Sequence, residues 1–124
     1  MLKLSFCLHR LPGLSREEFQ RYWRETHAPL VRRHAAALGL ERYVQVHAAH
    51  DELSALLRAS RSAPESYDGV AELWWKSLED LAAATATPAG ALAGRLLLED
   101  ERKFIDLASS PLFWAREREI IPGK

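Results

Sequence analysis

Apolar and polar residues alternate at the start of the chain, with Leu2, Leu4, Phe6 and Leu8 set against Lys3, Ser5, Cys7 and His9. A period of two describes a strand with two unlike faces. Leu11-Pro12-Gly13 reads as a turn, after which the period lengthens. From Ser15 onward, Phe19, Trp23, Leu30 and Ala37 fall on one helical stripe, with His27 and His34 on its shoulder. Arg16, Glu17, Arg24, Glu25 and Arg32 point elsewhere. Ser15 and Glu18 have the spacing of a capping box, and Gly39 ends the helix. A helix of this kind covers a sheet.

Tyr43 to His47 alternates again and predicts a second strand. Asp51 to Ala59 predicts a short helix capped by Asp51, and Ser60 to Ser66, which has no periodicity, a mobile surface loop. Gly69 to Trp75 reads as the third strand. Ser77 opens a helix through Ala84 with Asp80 at the capping-box position, and Thr87-Pro88 starts another short helix. Phe113 to Ile121 reads as the last strand. No repeat is present, and the only biased tract is the Ala-rich Leu81 to Gly94. The order strand, helix, strand, strand, helix, strand is the split βαβ of an α+β, ferredoxin-like sandwich: a four-stranded antiparallel sheet with helices on one face. Residues 1–124 then form one domain. The other sheet face needs a cover that too few remaining elements can supply. A second copy answers this, predicting a homodimer whose two sheets meet as a dimeric α+β barrel.

Acidic and basic side chains balance at 17 each. No global field therefore draws the chain to nucleic acid or to an anionic membrane. The densest charge cluster, Glu99 to Lys103, mixes both signs and reads as a solvated helix face or turn. One cysteine, Cys7, rules out an internal disulfide, and the five histidines have no metal-site spacing. No stretch approaches the roughly 20 apolar residues of a membrane span, and the apolar start is cut by His9, Arg10 and Pro12 too early for a signal peptide. A cytoplasmic protein is expected.

The candidate chemistry centres on His27. It lies one turn beyond Trp23 at the edge of the apolar stripe, and Pro29 follows two residues later. Proline supplies no N–H, so the helix is expected to kink there and leave a gap against the sheet beside an imidazole able to act as acid or base. The alternative is a core histidine that holds the kink. Glu72, mid-strand between Val70 and Trp74 on one face, is either a buried base or an exposed edge residue. Asp68 and Tyr67, just before that strand, place a carboxylate and a phenol at a pocket mouth, or else form a turn. Trp23 is the preferred pocket wall, with Tyr67, His9, Tyr43 and Trp74 as further substrate contacts. His9 and His47 line a semi-polar cavity or end their strands in solvent. Asp106 reads as a loop tie.

Three segments carry a resemblance: F-Q-R-Y-W-R-E-T-H-A-P-L-V at Phe19 to Val31, Y-D-G-V-A-E-L-W-W at Tyr67 to Trp75, and L-E-D-E-R-K-F-I-D at Leu98 to Asp106. In order and spacing they resemble the EthD family of the dimeric α+β barrel superfamily. The resemblance covers Met1 to about Ile121. It implies a homodimer with a small-molecule pocket in each subunit between sheet and helices. The family takes its name from an ether-degradation gene set, in which the protein accompanies an oxidative system. Fungal relatives act in polyketide pigment pathways as dehydratases or decarboxylases. The wider superfamily includes cofactor-free monooxygenases, isomerases, polyketide cyclases and haem enzymes, so the fold does not select the chemistry. Polyketide cyclases of that superfamily carry a His and a Tyr after the second helix; A-T-A-T-P-A-G-A-L-A-G-R here has neither. The expectation is therefore a cofactor-free pocket protein acting on an aromatic or cyclic oxygenated metabolite. His27, Glu72 and Asp68 would move protons in an isomerase, dehydratase or decarboxylase step, or in cofactor-free, monooxygenase-like oxidoreductase chemistry. A non-catalytic accessory or carrier is the alternative. Haem on His27 is a further possibility that the superfamily raises, without an attachment motif in the chain.

Overall fold

The computed structural model describes residues 1–124. Strands β1 (Leu2–Leu8), β2 (Arg42–His47), β3 (Gly69–Trp75) and β4 (Leu112–Ala115) form one antiparallel sheet in the order β2-β3-β1-β4. The register sorts the alternating residues. Leu4 lies opposite Leu73 and Trp114, Phe6 opposite Ala71 and Leu112, and Tyr43 opposite Leu73. Directly opposed residues share a face. Leu4, Phe6, Leu8, Ala71, Leu73, Tyr43 and Gln45 therefore look toward the helices. Lys3, Ser5, Val44, Glu72 and Trp74 look the other way.

The helical layer begins with α1 (Arg16–Tyr22), where the capping box forms: the Glu18 amide donates to Ser15 Oγ and the Ser15 amide to Glu18 Oε1. The predicted kink takes another form. Trp23–His27 is a π turn, closed by the Ala28 amide donating to the Trp23 carbonyl five residues back, and α2 (Ala28–Leu38) continues from it. Pro29 has no N–H for the turn before it. The chain absorbs the missing bond by widening that turn, a device that recurs at functional sites. Gly39 ends α2 in the left-handed region, at φ 68°.

Three other expectations are corrected. In α3 (Asp51–Ala59) the cap position belongs to His50, at φ 55°, and Asp51 is the first helical residue. After α4 (Leu78–Thr85), the helix opened by Thr87 and Pro88 is not short: α5 runs Pro88–Glu101. Its capping threonine and first-turn proline start it, and Ala93 and Leu97 bury it against Val31 and Leu38 of α2. The last strand stops at Ala115, after which Glu117 turns to accept from the Trp74 indole N–H at 2.9 Å.

The main core joins Phe6, Leu8 and Ala71 of the sheet to Phe19, Trp23, Phe104 and Ile105. The opposite sheet face carries Val46 and Phe113 in exposed positions, and no single helix is long and apolar enough to cross a membrane.

Candidate functional site

The π turn turns both Trp23 and His27 inward, at 1% and 5% exposure. They face a cavity of about 80 Å³ between sheet and helices. Leu4, Phe6, Leu8, Ala71 and Leu73 form its floor; Val31, Leu97 and Ile105 close its sides. The polar groups that reach this apolar chamber are His27, Tyr43 and Glu101.

His27 is held from behind. Its Nδ1 lies 2.7 Å from Asp100 Oδ2, and the other oxygen of that buried carboxylate accepts from the Tyr22 hydroxyl at 2.6 Å. Lys103 Nζ stands 3.8 Å from the same oxygen. An ionised carboxylate only accepts, so the imidazole proton resides on Nδ1. Nε2 has no protein partner and is not sealed off, which leaves its lone pair for the chamber. Burial pushes the His27 pKa below its ordinary value, with Asp100 opposing, so the ring is a neutral base near pH 7. Burial, then the bond to Asp100, pushes the Tyr22 phenol up to about 12. Beside them, burial and the nearby Asp100 charge raise Glu101 to about 7. Tyr43 is also pushed up by burial, partly offset by the hydrogen bond from Gln45.

Of the residues expected at the site, the fold brings His27, Trp23 and Tyr43 together. Glu72 lies on the other face of the sheet, 2.7 Å from Lys3 Nζ, and Trp74 stands beside it beneath Lys3 and Arg42. Asp68 is buried away from the chamber, bound by the Arg10 amide, the Arg10 guanidinium and Arg16, and so fastens β1 to the start of α1. Tyr67 stacks on His9 with ring centroids 4.5 Å apart, outside the chamber lining. His47 stacks on the far side of Trp23, also at 4.5 Å. The Asp106 main chain ties its loop to His9, while Ser110 Oγ donates back to the Asp106 carbonyl.

Asp100, Glu101, Tyr22 and Gln45 join the candidate site without being among the residues expected there from the sequence. Glu99 to Lys103 looked like a solvated charge cluster, and two of its acids face inward. The signal was in the phase: Ala93, Leu97, Asp100 or Glu101, and Phe104 recur at helical spacing on one side of the chain. No group of three His, Cys, Asp or Glu side chains is arranged to hold a metal ion.

A family model, the EthD domain, matches residues 11–108. Among solved structures, an ethyl tert-butyl ether D (EthD) family protein from Bacillus halodurans is similar at TM-score 0.60 and 20% identity, covering 95% of this chain and 100% of its own. A dimeric protein of unknown function with a ferredoxin-like fold, from Bacteroides fragilis, aligns at TM-score 0.57 and 9% identity over 94% and 95% of the two chains. An EthD-like protein from Ralstonia eutropha aligns at TM-score 0.56 and 16% identity over 92% and 88%. At these identities the likeness extends to the fold.

Proposed function

The chain belongs to the EthD family, and from that premise we propose that it is a small-molecule enzyme in which His27 moves a proton on an aromatic or cyclic oxygenated metabolite. The observation that carries this reading is the Asp100 bond to Nδ1, which leaves Nε2 as a free lone pair facing an apolar chamber. A core histidine holding the helices would use the Asp100 bond but would need no free nitrogen facing a chamber. Isomerase, dehydratase and decarboxylase steps all require a proton to leave or join one atom, and a cofactor-free oxygenation begins with the same abstraction. The chamber, at about 80 Å³, is smaller than the roughly 150 Å³ of a cavity that holds benzene. Only the reacting end of a ring compound therefore enters, and the rest extends outward. Val31 and Tyr43 also line an adjoining groove of about 210 Å³, which is suited to that remainder.

The same reading includes a second copy of the chain. The sheet face away from the helices exposes Val46 and Phe113 at 43% and 54%, and the similar Bacteroides fragilis protein is dimeric. Pairing these faces would bury them.

A non-catalytic accessory or carrier is the second reading. It is favoured by α3, whose Leu53, Leu56 and Leu57 are all exposed in the manner of a contact surface.

A thermal-shift screen of phenols, lactones and ketones on wild type and His27→Ala separates the two. Compounds that stabilise only the wild type support a working site at His27. Equal stabilisation of both proteins, or no hits together with collapse of the variant's own stability, makes His27 structural and puts the accessory reading ahead. Oxygen uptake with a confirmed substrate distinguishes oxygenation from simple proton transfer.

A further inference from the structure

The hydrogen bonds around Tyr43 fix the direction of its hydroxyl. The Trp23 carbonyl can only accept, and it lies 2.9 Å from Gln45 Nε2, so the nitrogen end of that amide is assigned. The same nitrogen lies 2.9 Å from the Tyr43 oxygen, which therefore accepts. At the other end of the amide, Gln45 Oε1 lies 2.8 Å from His47 Nε2 and accepts from it. The one hydrogen bond to the phenol oxygen, from Gln45, is donated to it, and its own O–H has no protein acceptor. Tyr43 lines the chamber that His27 and Glu101 share.

The lining has a second property: it contains no lysine or arginine. A carboxylate entering the chamber itself would meet Glu101 in front and Asp100 behind His27, with no cation to pair; the nearby arginines, Arg32 and Arg42, line the outer groove. Desolvating an unpaired anion in such a place is prohibitive. A neutral ligand oxygen suits it, because Tyr43 is a ready donor and Glu101, when protonated, is a second.

We infer that the chamber takes a neutral carbonyl compound carrying a hydrogen on the carbon next to the carbonyl, with the carbonyl oxygen bonded by the Tyr43 hydroxyl. This rests on the proton-transfer reading above and narrows it. His27 Nε2 takes the proton as the C–H bond breaks. The electron pair forms the new C=C bond, the C=O π pair moves to oxygen, and the resulting enolate oxygen is held by Tyr43 O–H. The proton then returns from His27, to the same carbon or to the far end of a conjugated system, which isomerises the substrate. No oxidant or cofactor enters the balance. Gln45 is a positioning residue: it occupies the phenol's acceptor side and so keeps the proton aimed at the ligand.

The test follows hydrogen exchange by NMR in deuterated water, with binding read in parallel by thermal shift. The neutral probes are acetylacetone, cyclopentanone and a butenolide; isobutyrate and cyclopentanecarboxylate are the size-matched anions. The proteins are wild type, His27→Gln, Tyr43→Phe and Gln45→Glu, each checked for folding. The neutral probes are expected to exchange faster with wild type and not with His27→Gln. Loss of one oxyanion donor lowers rates about 100-fold, so Tyr43→Phe should slow exchange by that order with little change in half-saturating concentration. Gln45→Glu should do the same, because a carboxylate accepts the Tyr43 proton and turns the donor away. Anions that bind as well as the neutral probes would overturn the inference. So would wild-type exchange rates in both Tyr43→Phe and Gln45→Glu. Neutral probes that bind through Tyr43 without any exchange would sink proton transfer and leave the neutral-carbonyl site standing. Binding and exchange by none of them would remove both.

Discussion

The Nδ1 of His27 and the Oδ2 of Asp100 are 2.7 Å apart, although the two residues are separated by 73 positions in the chain. One hangs from the π turn and the other from the last turn of α5, so a single buried bond ties the first helical segment to the last. Tyr22, one residue before the π turn, takes the other carboxylate oxygen and completes the clamp. The three residues set the tautomer of the imidazole and also hold the helices over the chamber.

Asp100→Asn should separate these roles. An amide presents either end, so the Nδ1 proton is no longer enforced, and the loss of a bond to a charged group costs on the order of 2 kcal/mol. The His27 pKa is already depressed by burial and raised back only by Asp100, so it should fall further in the variant. A depressed folded value means that the stability contribution is full above the unfolded histidine pKa and is lost as pH falls through the folded one. In Asp100→Asn that loss should extend to lower pH. Nitrogen-detected NMR titration of the ring reads both tautomer and pKa, and an unchanged ring would remove Asp100 from the site's chemistry.

Glu101→Gln should change the pH profile with the opposite sign. The folded pKa of Glu101 is raised from 4.5 to about 7, chiefly by burial. The protonated form is favoured in the native state, so its contribution is complete below about 4.5 and is lost as pH rises through about 7. A shift of that size corresponds to roughly 3 kcal/mol. Urea unfolding at about pH 5 and about pH 8 should therefore show wild type weakening across the interval more than Glu101→Gln. At the higher pH the variant should be the more stable protein. Parallel profiles for the two would mean that Glu101 is solvated.

The strands and the first helix were legible because each has one strongly periodic face and explicit end signals, such as Ser15, Glu18 and Gly39. His27, Trp23 and Tyr43 were legible as site candidates because a polar group on an apolar stripe stands out locally. Glu72 and Asp68 stand out for the same local reason, yet both lie outside the chamber. Each is a carboxylate among apolar neighbours, and what decides its role is a partner far along the chain: Lys3 for one, Arg10 and Arg16 for the other. Asp100 and Glu101 were hidden by charged neighbours, Glu99, Arg102 and Lys103, that face outward from the same turns. The π turn could not be read either, because Pro29 removes a bond without specifying how the backbone absorbs the loss.

Gly69→Ala should damage the chamber from outside it. Gly69 begins β3 where the strand passes the Trp23 ring. A Cβ there would stand 2.5 Å from Trp23 Cζ3 and 2.6 Å from the Val46 carbonyl oxygen. The carbonyl belongs to the sheet and cannot move aside, so the indole must shift or the strand must part. Overpacking of this kind costs about 2 kcal/mol. Trp23 is the chamber wall, so indole fluorescence and ligand-induced stabilisation should change together with the melting temperature. A variant as stable as wild type with normal ligand response would mean that the strand start yields more easily than its contacts suggest.

Val31→Ala tests whether the chamber and the adjoining groove act as one site. Val31 is 3% exposed, and its side chain lines both spaces, about 80 and 210 Å³. Removing its two methyl groups should join them at a stability cost of about 2 kcal/mol, the ordinary penalty for emptying a small buried volume. If the reacting end of the ligand occupies the inner space and the remainder the outer one, the variant should accept bulkier neutral carbonyl compounds. For the smallest compounds it should lose affinity, because they give up contact on one side. The check is a thermal-shift series of ketones of increasing size on both proteins. A crossover in preference toward larger members supports a partition at Val31, and parallel curves for the two proteins place the ligand wholly on one side of it.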